Sequence, residues 1–154
     1  MSRKEPINLG YQKYNLDTGR SILKPVILVE LQKMHGKEIK TAPTLALIDS
    51  GADYNIFQAD LSEILFITDL ESGEYVEIGG IAEGDKTKGE KAKIIHGWRH
   101  AIGINVRGRV RGAEAVFSPN IADCGFSILG QEGFFDKFED VRFGYKRGKI
   151  TIKP

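Results

Sequence analysis

Apolar and polar residues alternate along much of this chain, which is the pattern of half-buried β-strands. The segments 22–31, 39–48, 75–81, 91–98, 102–110 and 113–117 are rich in isoleucine, valine and aromatic residues, and glycine-bearing breaks separate them. This spacing predicts six or more short strands. Because 18 glycines supply the turns and bulges that closed β architectures need, we predict an all-β fold built as a single closed β-barrel.

Helical periodicity is confined to two short stretches, 58–65 and about 131–138. In the second stretch Phe134, Phe135 and Phe138 recur at a spacing that would bury one face, so we expect these rings in the core. We therefore expect one or two short helices. No internal repeat, low-complexity tract or linker is evident, which favours one continuous domain over residues 1–154.

Composition excludes several classes of partner. A chain of 154 residues with 41% apolar side chains fits one domain with its own core, and its net charge of +1 favours neither nucleic acid nor an anionic membrane. The single cysteine, Cys124, cannot form an internal disulfide. The first residues lead into no apolar segment of the signal-peptide type, and no apolar run approaches the roughly 20 residues that cross a bilayer. We expect a cytoplasmic protein without nucleic-acid or membrane partners.

The most informative segment is an apolar strand that ends at an aspartate. Leu45-Ala46-Leu47-Ile48 predicts a buried strand, and Asp49-Ser50-Gly51-Ala52 places a carboxylate on a tight turn directly after it. Glycine at position 51 permits a backbone conformation closed to other residues and a close approach by another backbone. The hydroxyl of Ser50 can fix the turn. Taken alone, the tripeptide is explained more simply as an ordinary Asx-type turn.

Two further segments change this interpretation. Val76-Glu77-Ile78-Gly79-Gly80-Ile81 is an apolar arm broken by paired glycines, and Phe126-Ser127-Ile128-Leu129-Gly130 is an apolar strand that closes on glycine before the aromatic stretch. The aspartate turn, the glycine-broken arm and this strand, in this order, resemble the retropepsin-like aspartic proteases, which include the retroviral proteases and their cellular and bacterial relatives. The resemblance covers roughly residues 39–154, including closing strands at 138–143 and 149–154.

The resemblance implies a retropepsin-type barrel that assembles as a homodimer. Asp49 would be the catalytic acid on an active-site turn completed by Ser50, Gly51 and Ala52, with Ser50 hydrogen-bonding across the dimer. An apolar strand with its closing glycine would brace this turn. The implied bracing residues are Ile128, Leu129 and Gly130. The flap would span Ile78 to Glu83, and the implied substrate-binding residues are Asp53, Ile78, Gly79, Gly80 and Ile81.

The implied function is an endopeptidase in which Asp49 from each of two subunits forms a pair that activates water. Two carboxylates a few ångströms apart share one proton, so one can act as base and the other as acid. Such a site needs no metal and no organic cofactor, and its partner is a peptide or protein substrate. The alternative is a catalytically weak or inactive module of the same fold that binds an extended peptide or a protein partner.

This sequence departs from the retroviral pattern in three places. Gln131 stands where retroviral members usually carry an arginine that pairs with the acid matching Asp53. The segment 81–89 is longer and more charged than a lean flap. Residues 1–35 lack a counterpart and are expected to be an N-terminal extension or hairpin, a dimer arm or a removable pro-segment, ahead of a family domain at 36–154.

Four other signals favour structural explanations. Asp17-Thr18-Gly19 spells the family's catalytic triplet but follows polar residues, which indicates a hairpin turn. His96 and His100 would share one strand face with Trp98, and a wet strand face is a better explanation than a metal site. A solvated strand edge or the rim of an acidic-substrate site is likewise preferred to RNA binding for Arg107, Arg109 and Arg111. Cys124 is read as a small buried residue rather than a redox switch.

Overall fold

The computed structural model describes residues 5–82, 93–121 and 126–154, and it confirms an all-β fold. The strands follow one another along the chain, and a short α-helix, α1 (Asp60–Ile64), lies after the sixth strand. Short 3₁₀ turns lie at Leu70–Ser72, Phe135–Lys137 and Tyr145–Arg147. The strands are β1 (Ile7–Gly10), β2 (Gln12–Asn15), β3 (Ser21–Lys24), β4 (Val26–His35), β5 (Glu38–Ile48), β6 (Ile56–Gln58), β7 (Glu74–Ala82), β8 (Lys93–Val106), β9 (Arg109–Ser118), β10 (Ser127–Leu129), β11 (Asp140–Gly144) and β12 (Lys149–Lys153).

The main sheet has seven strands in the order β4-β5-β10-β6-β9-β8-β7, and β4 also pairs with β8. The hydrogen-bonded pairing therefore passes through six strands and returns to the first, with β7 attached outside this circuit. Most neighbours are antiparallel, but β10 runs parallel to β5 and β6 runs parallel to β9. The parallel pair β5 and β10 brings the end of β5, just before Asp49, beside the strand that leads to Gly130.

Two apolar clusters fill the interior. The larger lies among the main sheet, α1 and the β1-β12-β11 sheet, and its largest fully buried side chains include Phe57, Phe117 and Phe134. The smaller joins the beginning of β6, the beginning of β10 and the β7–β8 hairpin. Its buried members are Ala52, Ile56, Ile95, Ile121 and Ile128, with Tyr54 and Ile78 packed against them. The smaller cluster thus lies at the aspartate turn, whereas the larger supports the sheet.

The N-terminal 35 residues contribute to three parts of the fold. β1 pairs with β12 in a three-stranded sheet, β2 and β3 form a separate hairpin, and β4 enters the main sheet. The hairpin turn predicted at Asp17-Thr18-Gly19 is confirmed, since the Leu16 amide donates to the Arg20 carbonyl at 2.7 Å and Gly19 has a φ of +79°. A role of this segment as a dimer arm or pro-segment stays a prediction.

Several sequence-based boundaries were wrong. The stretch 131–138 forms no full helix but a single 3₁₀ turn, because Gly133 has a φ of +109°, far from the helical value. The predicted strands at 91–98 and 102–110 are largely one strand, β8, which continues through Arg99 because β9 pairs along it without interruption. At Pro25 the predicted strand 22–31 divides into β3 and β4. The short helix expected near 58–65 is confirmed as α1.

Parts of the sequence interpretation fall outside the described residues. The charged continuation of the arm at 83–92 and Cys124 both belong to these parts of the chain. Within the ranges that are described, the structure has no helix with the length and apolarity that a bilayer crossing requires.

Candidate active site

Asp49 follows the buried end of β5 and occupies a half-buried position on the turn. Ile48 and Ala46 are buried, whereas Leu45 is 46% exposed, so only one face of the strand lies in the core rather than both faces as predicted. The Asp49 amide donates to the Leu129 carbonyl at 2.9 Å. The carboxylate therefore extends from a backbone position that β10 fixes.

The turn itself orients the carboxylate. Oδ1 of Asp49 accepts the Gly51 amide at 2.9 Å, and the Asp49 carbonyl accepts the Ala52 amide at 3.2 Å. This is the Asx-type geometry considered from the sequence, and here it holds a carboxylate at the surface. Gly51 does not use the backbone freedom that the sequence allowed for it, because its φ is not positive; a Cβ there would instead lie 3.2 Å from Asp49 Oδ1.

The strand predicted to brace the turn lies directly beside it. Ile128 pairs with Leu47 and Leu129 with Ile48 in the parallel register of β10 and β5. Gly130 follows at a point of very close approach, since a Cβ on it would lie 2.4 Å from the Tyr54 carbonyl oxygen and 2.7 Å from that of Ala52. Only glycine fits this position without a shift of backbone.

Asn55 is a supporting residue that sequence reasoning missed. Its side chain is fully buried, its Oδ1 accepts the Gly130 amide at 3.0 Å, and its Nδ2 donates to the Glu114 carbonyl at 3.4 Å. A buried amide satisfied at both ends fixes the relative position of the two loops that it joins. The signal in the sequence was a polar residue directly before the apolar pair Ile56-Phe57.

Gln131 ties the turn to the bracing segment within one chain. Its Nε2 donates to the Ser50 carbonyl at 2.7 Å, and its amide donates to the Ala52 carbonyl at 2.8 Å. The neighbouring Glu132 amide donates to the Asp53 carbonyl at 2.9 Å. Although glutamine replaces arginine here, the position still holds the turn, through neutral hydrogen bonds to the main chain.

The arm predicted as a flap is an extension of the β7–β8 hairpin. Ile78 is half-buried and packs in the smaller cluster with Ala52 and Ile128, so the base of the arm lies close to the aspartate turn. The β7–β8 register is irregular between Ile78 and Ala82, the stretch that contains the paired glycines. Gly79 and Asp53 are exposed, and Gly80 and Ile81 lie on β7.

Arg99 is a second supporting residue that sequence reasoning missed. Its guanidinium lies 4.8 Å from the centre of the Tyr54 ring and has carboxylate oxygens of Glu114 at 3.4 Å, Glu74 at 3.7 Å and Glu132 at 3.9 Å. Burial alone would lower the pKa of Arg99, but the three carboxylates and a hydrogen bond with Tyr54 raise it above its usual value. The guanidinium is therefore a fixed positive charge beside the turn.

The other polar signals lie outside this site. Nε2 of His100 is 2.6 Å from the Leu70 carbonyl oxygen, and His96 contacts the rings of Tyr75 and Trp98. In the parts of the chain that the structure describes, no three His, Cys, Asp or Glu side chains converge to hold a metal ion.

The three arginines do not share the solvated strand edge or substrate rim that the sequence favoured for them. Arg107 occupies the β8–β9 turn with a φ of +50°, and Arg109 is buried with its Nη2 donating to the Glu5 carbonyl at 3.0 Å. Arg111 is half-buried, 5.3 Å from the centre of the Phe138 ring. The turn and the core contacts separate these side chains, which therefore do not form one surface.

Comparison with known proteins agrees with this architecture at the level of fold. No family model and no curated protein matches the sequence. Among solved structures, a retropepsin-like aspartic protease from Rickettsia conorii aligns over 96% of this chain and 98% of its own, with a TM-score of 0.54 and 11% identity. The EIAV protease in complex with the inhibitor HBY-793 aligns over 76% of this chain and 86% of its own, with a TM-score of 0.45 and 18% identity. The alignment with the Rickettsia conorii structure shows that this protein has the fold of the retropepsin-like aspartic proteases.

Proposed function

We propose that this protein is an aspartic endopeptidase that uses Asp49 as its catalytic acid and base. The observation that supports this most strongly is the placement of the Asp49 carboxylate, which extends from a turn that β10, Asn55 and Gln131 all fix. A loop this strongly restrained suits a group that must meet a substrate in one geometry. The retropepsin-like fold adds independent support.

The proposed active unit is a homodimer, because the part of the chain that the structure describes carries one such turn. The second Asp-Ser/Thr-Gly triplet, at Asp17, lies on the β2–β3 hairpin rather than on a strand of the main sheet. A pair of aspartates therefore requires a second copy of the chain, related by a two-fold axis that passes between the two Asp49 turns.

The chemistry of the pair follows from one shared proton. The ionised Asp49 takes a proton from a bound water, and the water oxygen forms a bond to the carbonyl carbon of the peptide. The protonated Asp49 of the second copy donates its proton to the carbonyl oxygen. The tetrahedral intermediate then collapses and the C–N bond breaks. The proton taken from water passes from the first Asp49 to the leaving nitrogen, and one hydroxyl of the intermediate returns its proton to the second Asp49 as the product carbonyl forms, which restores the shared proton. Neither a metal nor an organic cofactor takes part in this proposal.

The substrate is proposed to be an extended peptide held between the turn and the β7–β8 arm. A peptide in this position can add main-chain hydrogen bonds to the arm, as a strand does at a sheet edge. Ile78 provides an apolar surface beside Ala52, which favours apolar side chains next to the scissile bond. Asp53, Gly79, Gly80 and Ile81 are the further proposed contacts.

We expect cleavage to be fastest at acidic to mildly acidic pH. One proton must stay bound to the pair, so the rate falls as alkaline conditions remove it. The test is digestion of a diverse peptide mixture by the purified protein between roughly pH 4 and pH 9, with and without a statine-type inhibitor. A rate that still rises at the alkaline end would contradict the shared-proton mechanism.

The same digestion separates the two candidate functions. Inhibitor-sensitive cuts support the endopeptidase. A protein that is dimeric by sedimentation, binds the inhibitor and yet makes no cuts would instead be the peptide-binding module considered from the sequence.

A further inference from the structure

We infer that Arg99 is a positioning residue that fixes the active-site turn and the base of the β7–β8 arm relative to each other. This inference rests on the proposed function for its catalytic consequence, whereas the positioning itself can be measured without catalysis.

Each partner of Arg99 belongs to a different element. Tyr54 lies two residues after the aspartate turn, and Glu132 directly follows Gln131 in the segment that holds this turn. Glu74 begins β7, the strand that continues into the proposed flap, and Glu114 lies on β9. One guanidinium therefore contacts the turn, the bracing segment, the arm and the main sheet.

The guanidinium is largely covered, whereas the side chains of its three carboxylate partners are more than half exposed. The Arg99 side chain is 18% exposed, and the cavity that remains among Tyr54, Arg99, Glu114 and Glu132 is about 10 Å³, at the lower limit for one water molecule. The backbones of Tyr54 and Glu132 also pair in an isolated bridge. The guanidinium therefore lies against Tyr54 and Glu132 with almost no free volume between them.

The geometry requires arginine rather than any cation. A planar guanidinium can stack on the Tyr54 ring while its nitrogens face three separate carboxylates, whereas a lysine ammonium is a point charge that cannot do both. The net charge of this group of side chains is negative, since one arginine faces three glutamates. Loss of the guanidinium would leave three carboxylates repelling one another beside the turn.

The first test is hydrogen exchange of the Gln131 and Glu132 amides, which donate to the Ala52 and Asp53 carbonyls. In Arg99→Lys we expect both amides to exchange about tenfold faster or more, because the loop opens more often. The matched control is Arg111→Lys, which removes a guanidinium stacked over Phe138 at another place on the sheet and should leave both rates unchanged. If Arg99→Lys does not fold, hydrogen exchange is measured in Glu132→Gln instead. This variant removes one carboxylate partner of Arg99 at a more exposed position.

The second test is kinetic. With a peptide that the wild-type protein cleaves, Arg99→Lys should lower kcat about tenfold to hundredfold with a smaller change in KM, because the turn is misplaced rather than absent. Arg111→Lys should stay within about twofold of wild type. Unchanged exchange at Gln131 and Glu132 in Arg99→Lys would overturn the inference. Faster exchange in a protein whose wild type cleaves nothing would keep the positioning role and reject the proposed function.

Discussion

Replacement of Asp49 by asparagine is expected to lower kcat/KM for peptide hydrolysis by at least about 10³-fold. An amide can neither take a proton from water nor share one with a second carboxylate. Its Oδ1 can still accept the Gly51 amide, so the turn is kept and the free energy of unfolding should change by less than about 1 kcal/mol. Cleavage assays, thermal unfolding and sedimentation together measure these effects.

Asp17→Asn is the matched control for this experiment. It makes the same chemical change in the other Asp-Ser/Thr-Gly triplet, which the structure places on a hairpin turn. The control should cleave peptides at the wild-type rate. Substantial proteolysis by Asp49→Asn, or its loss in Asp17→Asn alone, would place the chemistry elsewhere.

Gly130→Ala is expected to destabilise the fold by about 3 kcal/mol or more. The new Cβ would lie 2.4 Å from the Tyr54 carbonyl oxygen and 2.7 Å from that of Ala52. Both obstacles are backbone atoms, so no side-chain rotation can relieve the overlap, and the bracing segment must move away from the turn. Denaturant unfolding of wild type and variant gives the difference directly.

Gly112→Ala on β9 provides the comparison for Gly130→Ala. A Cβ at Gly112 would meet nothing within 4 Å, and its φ is not positive, so its stability should stay within about 1 kcal/mol of wild type. Equal stability of Gly130→Ala and wild type would mean that the bracing segment does not pack against the turn as described.

Sequence patterns predicted the features of this protein that arise from local chemistry. The alternation of apolar and polar residues indicated an all-β fold, and Asp17-Thr18-Gly19 indicated a hairpin turn because glycine readily adopts its positive φ. The order of the aspartate turn, the glycine-broken arm and the apolar strand before Gly130 indicated the fold through resemblance. The structure places the last of these segments beside the first in the β5–β10 pairing.

Features that depend on partners distant in sequence could not be predicted in this way. Arg99 appeared only as one member of a histidine- and tryptophan-containing stretch, yet its contacts come from segments on both sides of β8. Similarly, no residue near Asn55 in the sequence indicates that its side chain accepts a hydrogen bond from the Gly130 amide. The aromatic stretch after Gly130 has helical spacing, but Gly133 adopts a φ of +109°, which interrupts a helical backbone.

Mixing subunits tests most directly whether two copies of Asp49 form one site. After free exchange, an equal mixture of wild type and Asp49→Asn contains about one quarter wild-type pairs, because subunits combine at random in a two-fold dimer. If only pairs with two intact Asp49 residues are active, we expect this mixture to have about one quarter of the activity of the same total amount of wild type. Activity of about one half would show that each chain hydrolyses peptides on its own and would contradict the account.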